Sequence, residues 1–390
     1  MRGSIVKRGR TWSYVLYLGR DSSGRKRRKW VGGFDTRREA EEALVAALGK
    51  RRDGITVDAG RMTVGEYLAE WLTGITPSLR ATTALRYRKL MRDHVIRHIG
   101  NVRLADLTAP RIRMLHAELL ENGRVDTMGG LSPTTVATVH RVLSHALKDA
   151  VTAGLLERNP AAMVKPPRRA RPQWRVWSAE QVQRFLQAGA EDRLYGLWAL
   201  LVTTGLRRGE ALALRWEDVD LETGRLRVQR SFTTAGYEVQ LTEPKTAAGR
   251  RSVSLDPQTT RVLAEHRRRQ AEERLRVGPA WRDTGLVFTD ELGQAIHPMR
   301  AYVLFRELMW RNPLLPKIRL HDLRNTAATL ALAAGVHPKV VQERLGHANI
   351  AITLDTYSHV VEGLQEDAAA RVADLVYRDE RGGQNGARGS

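Results

Sequence analysis

The sequence predicts an α+β chain, mainly helical with small β-sheets, and three observations predict it. Residues 1–58 alternate apolar and polar residues in two short runs and then switch to a helical period. Residues 62–165 carry only helical periodicity, and residues 174–377 are helical except for a strand-rich patch near 225–255. At 390 residues with 42% apolar content, the chain has material for two or three packed cores.

In the first segment, WSYVLYLG and KRRKWVGGF read as a hairpin joined by DSSG. TRRE then forms a capping box at Thr36 and opens a helix running through EAEEALVAALGK. Fifteen basic against seven acidic residues give this unit a net charge of +8. Arg25, Lys26, Arg27, Arg28 and Lys29, with Trp12, Tyr14 and Trp30 nearby, suit a twisted sheet entering a DNA groove. The competing reading is a charged hairpin that keeps a sheet edge soluble.

The second segment opens on the capping box TVGE. Its further helices are TTALRYRKLMRDHVIRHIG, APRIRMLHAELLENG and SPTTVATVHRVLSHALKDAVTAG, the last capped by Ser132 with Pro133 in its first turn. His94 and His98 have the spacing of a metal pair but lack an intervening glutamate and a third ligand, so no metal is expected. His140 and His145 read as helix surface. A basic, proline-rich linker spans 166–173, where Arg168 and Arg169 either track phosphates or belong to a tether.

The third segment holds the reactive groups. TTGLRRGEALALRW sets Arg207 after a glycine turn at the head of a helix, where anions are favoured. Arg207 rather than Arg208 is chosen because it directly follows the turn. RLRVQRSF and YEVQLTEP read as a hairpin, and KTAAGRRSVSL puts Lys245 at a strand edge beside a glycine-containing turn. LHDLRNTAATLALAAG reads as a helix stopped by Gly335, with His321 and Arg324 three apart on one face. His347 follows in LGH, and Tyr357 lies ten residues later in DTYSH. VEGLQEDAAARVADLVYR is an amphipathic helix with Leu364, Ala368, Val372 and Leu375 on one face, and residues 378–390 read as a disordered tail.

Composition bounds the partners. There are 64 basic against 43 acidic residues, a net of +21, which implies a polyanion. The absence of cysteine excludes disulfides and thiolate metal sites. MRGSIVKRGR has no apolar signal region, and LYGLWALLVTTGL is too short to cross a bilayer, so a soluble cytoplasmic protein is expected, with no membrane partner.

The ordered set TGLRRGE, PKTAAGR, HDLR, LGH and DTYSH resembles the tyrosine recombinases of the phage-integrase type, and the resemblance covers most of the chain. It implies a catalytic tyrosine-recombinase domain at 174–377, a helical, SAM-like core-binding domain at 62–165 that clamps the opposite face of DNA, and an arm-site-binding domain at 1–58. It also implies a 3′-phosphotyrosyl enzyme with a free 5′-hydroxyl, formed without cofactor or metal.

The residue types fit that chemistry. Arg207 and Arg324 bind phosphate oxygens bidentately and stay charged. Tyr357 attacks phosphorus once hydrogen bonds and cations activate its hydroxyl. Lys245 is the candidate acid for the leaving 5′ oxygen, His321 the proton-handling partner of the nucleophile, and His347 a donor to the phosphate. Glu210 matches the acidic position of the first arginine box and orients Arg207. The expected partners are double-stranded attachment sites, three further copies in a DNA-bound tetramer, an excisionase and a DNA-bending host protein. The C-terminal helix docks on a neighbouring protomer or covers its own core.

An integrase of a prophage or integrative element in a bacterial cell, nucleoid-associated when on DNA, is the leading reading. A chromosome-dimer or plasmid-multimer resolvase is the alternative, and the basic arm argues against it. A catalytically idle DNA-binding regulator is a third, at odds with retention of all six reactive groups. A type IB topoisomerase would share related chemistry but needs no pair of DNA-binding modules ahead of the catalytic domain.

Overall fold

The computed structural model describes residues 3–20, 26–52, 61–168, 175–236, 238–243 and 249–350, with 354, 369–370, 372–373 and 376 beyond them. Two compact units emerge, Met1–Arg171 and Pro172–Ser390. The fold is α+β, helices with small antiparallel sheets.

The first unit begins with a three-stranded antiparallel sheet, β1 (Gly3–Arg8), β2 (Thr11–Arg20) and β3 (Lys26–Phe34), followed by α1 (Arg37–Arg52). Strand β1 was not expected, since only Ile5 and Val6 are apolar in GSIVKR. The turn at Gly9, at φ +61°, folds it back onto β2. The capping box at α1 forms as read, with Glu39 N donating to Thr36 Oγ1 at 3.2 Å and Thr36 N to Glu39 Oε2 at 3.4 Å.

Tyr14 and Leu44 centre a small core with Ile5, Val31 and Phe34. Tyr14 is therefore a packing residue under α1 and does not face a groove. By strand alternation Val15, Tyr17 and Trp30 lie on the opposite face, where the Arg8 guanidinium sits 4.5 Å from the Trp30 ring. Arg25 lies outside the described residues. Lys26, Arg27, Arg28 and Lys29 are described only by their backbone pairing with Arg20, Gly19, Tyr17 and Leu16.

The helical part comprises α2 (Val64–Ile75), α3 (Ala81–Met91), α4 (Arg97–Ile99), α5 (Ala109–Asn122) and α6 (Pro133–Thr152) around one apolar core. Both expected caps form, at Thr63 with Glu66 and at Ser132 with Thr135 N. The helix read as continuous from 82 to 100 instead contains a π turn, Arg92–Ile96, for which a 3.6-residue period carries no signal. His140 is buried, its ring centroid 5.1 Å from that of His116, whereas it was expected on the surface. Of the two phosphate-contact candidates in the linker, Arg168 is exposed and Arg169 lies outside the described residues.

The second unit contains α7 (Ala179–Ala188), α8 (Tyr195–Thr204), α9 (Arg208–Leu212), β4 (Val219–Asp220), β5 (Arg225–Val228), β6 (Ser231–Ala235), β7 (Glu238–Thr242), β8 (Arg251–Ser254), α10 (Pro257–Val277), α11 (Pro298–Trp310), α12 (Asp322–Ala333) and α13 (Pro338–Leu345). Trp177, Phe185, Trp198 and Phe305 form its aromatic centre, with centroid separations of 5.0 to 6.4 Å.

The run RLRVQRSF is two strands in two sheets. Strand β5 lies between β4 and β8, while β6 pairs with β7 in a separate two-stranded sheet. The break falls at Arg230, whose guanidinium is drawn to Asp218 at 2.6 Å and Glu217 at 2.7 Å. Beyond it, β6 runs against α9 so closely that a Cβ on Gly209 would collide with Phe232 O. The C-terminal amphipathic helix and the tail at 378–390 fall almost wholly outside the described residues.

Candidate active site

Helix α8 ends on Gly205, which adopts φ +67° and caps it. A β-carbon there would come 2.6 Å from Leu345 Cδ2, so glycine lets this turn approach the end of α13. Arg207 follows as the N-cap of α9. Its backbone N–H donates to Glu210 Oε2 at 3.0 Å and its Nη1 to Glu210 Oε1 at 2.7 Å. Glu210 is 4% exposed, and Arg251 Nη2 on β8 also donates to its Oε2, at 2.9 Å. Burial opposes ionisation of Glu210, but the bond and charge of Arg251, then the charge of Arg207, outweigh it and hold the carboxyl below its usual range.

Arg324 lies on the first turn of α12 and is 4% exposed. Its Nη1 donates to Gly205 O and its Nη2 to Leu345 O, both at 2.7 Å, which fixes the plane of the guanidinium. The neighbouring carbonyl, Arg344 O, accepts from Arg251 Nε at 2.7 Å. The last carbonyls of α13, which have no partner within the helix, thus anchor two arginines. Gly346, at φ +68°, ends α13 and delivers His347 immediately after it, its carbonyl held by Gln342 Nε2 at 3.0 Å.

His321 precedes α12 and is open to solvent on one side. Crowding on its other side, then the Arg324 charge, lowers its pKa; Asp322 opposes, and Arg207 and Arg319 add. His347 is half-buried, and that burial, followed by Arg324, Arg207, Arg251 and His321, brings its pKa down to about 4. Both shifts favour the neutral imidazole. The structure brings together Arg207, Glu210, His321, Arg324 and His347 in one electrostatic neighbourhood. Lys245 and Tyr357 lie outside the described residues.

Sequence reasoning passed over Arg251, Asp322 and Arg344. Arg251 shares the inward side of β8 with the buried Val253, and a charge on a buried strand face was the available signal. Asp322 is buried and bidentate with Arg319, at 2.8 and 3.0 Å, and its Oδ2 accepts from Arg319 N, securing the start of α12. Arg344 donates to Ser254 O at 2.9 Å and Thr203 O at 3.2 Å, joining α13 to β8 and α8.

Three family descriptions match the chain: the phage integrase family over residues 175–363, an arm DNA-binding domain over 4–50, and the phage integrase N-terminal SAM-like domain over 63–120. The chain is 29% identical over 393 residues to a tyrosine recombinase XerC-like protein of Caldanaerobacter subterraneus subsp. tengcongensis, covering 95% of this chain and 98% of that one. It is 26% identical over 417 residues to an integrase of Saccharopolyspora erythraea, covering 93% of each. A solved structure of the Tn1549 transposon integrase in complex with a circular intermediate DNA shares the fold, with a TM-score of 0.67 at 21% identity, over 80% of this chain and 99% of that one. Because these three descriptions together span most of its length, the chain belongs to the phage integrase family of tyrosine site-specific recombinases.

Proposed function

We propose that this recombinase cuts and rejoins DNA at the attachment sites of a mobile element, with Tyr357 as nucleophile and Arg207 and Arg324 clamping the scissile phosphate. The observation that carries this reading is the arginine frame. Arg324 is held by two main-chain carbonyls and Arg207 by a buried carboxylate, so both charges are set in place before DNA arrives. Preorganised charge of this kind stabilises negative charge developing on phosphate oxygens without reorganisation during the reaction.

The neutral imidazoles divide the remaining work. His321, kept unprotonated, accepts or shares the Tyr357 proton as the phenol attacks. His347 donates an N–H to a non-bridging oxygen, and Lys245 delivers a proton to the departing 5′ oxygen. One phosphodiester is exchanged for a phosphotyrosyl ester, and a 5′-hydroxyl from the partner duplex reverses the step, so no nucleotide is consumed.

Joining two duplexes requires four strand cleavages with one nucleophile per chain, hence four copies on DNA. Residues 1–58 bind arm-type sites through the +8 sheet unit, residues 62–165 grip the core site, residues 166–173 link them to the catalytic domain at 174–377, and residues 378–390 form a tail. An excisionase and a DNA-bending protein set direction in the bacterial nucleoid. The test is recombination between two plasmids, one carrying the element's end and one its chromosomal target, in buffer without nucleotide. Recombinants with a short staggered exchange are expected. Failure of exchange with strand passage alone would place the protein among topoisomerases.

A further inference from the structure

Among the described residues of this site, Arg251 is a buried cation that has no part in the mechanism above. Its side chain is 6% exposed, against 42% for Arg207, and each of its three nitrogens is turned into protein. Nη2 donates to Glu210 Oε2 at 2.9 Å, Nε to Arg344 O at 2.7 Å and Nη1 to Gly249 O at 3.2 Å. It joins β8 to the start of α9 and to the end of α13, the two places from which Arg207 and His347 are delivered.

The charge arithmetic gives this geometry a consequence. Glu210 lies at 2.7 Å from Arg207 and, alone, would cancel the guanidinium it orients. With Arg251 on its other oxygen, the three groups sum to one positive charge, and the carboxylate is shared. The two contacts fall on different oxygens, Oε1 toward Arg207 Nη1 and Oε2 toward Arg251 Nη2, so each arginine braces the carboxylate for the other.

We propose that Arg251 is a positioning residue for strand cleavage: it holds Glu210 so that the carboxylate aims Arg207 at the phosphate without neutralising it. This rests on the assignment of Arg207 to the phosphate. The groups around His347 are Arg207, Arg251, Arg324 and His321, so Arg251 also helps keep that imidazole neutral.

The test uses the full chain and a nicked suicide duplex carrying the core site, in which the cut strand diffuses away, and measures covalent adduct formation per DNA-bound molecule. Arg251→Met should bind the duplex as the parent does yet cleave about 10²-fold more slowly, the loss typical of a misplaced catalytic group. Adding Glu210→Gln to that variant should restore a large part of the rate, because it returns the net positive charge to Arg207. A brace with no electrostatic role would instead show a further loss in the double variant.

Arg251→Lys covers the case in which the methionine variant does not fold. Lysine keeps the charge but cannot serve Glu210 and two carbonyls together, so cleavage per folded, DNA-bound molecule should still slow. The proposal is overturned by parental cleavage in Arg251→Met, by parental cleavage in a folded Arg251→Lys, or by a double variant slower than Arg251→Met. Arg207→Ala is the control that separates the two levels. If it cleaves normally, the reading of the phosphate site fails; if it is inactive while Arg251 variants are not, only the present inference fails.

Discussion

His116 of the helical part and His347 of the catalytic unit both have a pKa lowered to about 4, yet the causes differ. His116 is 6% exposed and packed edge-on against His140; burial is the main cause, with the His140 ring second. His116 Nε2 and His140 Nδ1 have no hydrogen-bond partner among the described residues. His347 is only half-buried, and three arginines and His321 add to the effect of burial. A depressed pKa alone therefore does not mark an active site. Cations converging on a group that a substrate can still reach do mark one.

The largest expected effect breaks that comparison at the arginines. Arg324→Ala should lower cleavage about 10²–10³-fold, the cost of losing one transition-state donor. It should also lower stability, because Gly205 O and Leu345 O lose their partner, at roughly 1–3 kcal/mol for each carbonyl left unpaired. His116→Leu, by contrast, should leave cleavage per bound molecule unchanged and keep or raise the melting temperature, since it removes an unpaired buried polar atom. Suicide-duplex cleavage and thermal melting of the two variants check both arms. Equal losses of cleavage would mean that the helical histidines take part in the chemistry.

A smaller effect is expected at the turn that holds Arg324. Gly205→Ala places a side chain at φ +67° and against Leu345, which should cost about 1–3 kcal/mol and displace the carbonyl that anchors Arg324. Loss of cleavage beyond the loss of folded protein, read by adduct assay and denaturant titration together, would report that displacement. An alanine variant with parental melting and rate would show that the turn adapts freely.

The smallest effect is on stability against pH. His94, His116, His140 and His347 all have folded pKa values below the ordinary 6.5, so the unfolded chain binds protons more readily than the native one. The stability that His116 and His347 contribute is fully present above pH 6.5 and is lost as pH falls through about 4, and His94 and His140 act in the same direction. His116→Leu should flatten that decline in a series of denaturant midpoints, and an unchanged slope would remove His116 from the account.

Much of this was legible in the residues because it rests on local rules. The caps at Thr36, Thr63 and Ser132 depend on a side chain reaching its own helix, and the stop at Gly335 on a positive φ of +79°. The linear boxes likewise singled out Arg207, His321, Arg324 and His347, which the structure places near one another. What escaped depends on distant partners. Arg251 meets a carboxylate 41 positions away and a carbonyl 93 positions away. The break between β5 and β6 comes from Arg230 reaching back to Glu217 and Asp218. His140 read as surface because its neighbour His116 belongs to another helix.

The central claim is that these preset cations serve a tyrosine nucleophile, and peptide mapping of the covalent adduct tests it most directly. The protein is incubated with the suicide duplex, digested, and the nucleotide-bearing peptide sequenced by mass spectrometry. The account predicts a 3′-phosphoryl link on Tyr357, a free 5′-hydroxyl on the released strand, and no adduct from Tyr357→Phe, which should still bind the duplex. A link on any other residue, or an undiminished adduct from the phenylalanine variant, would contradict it.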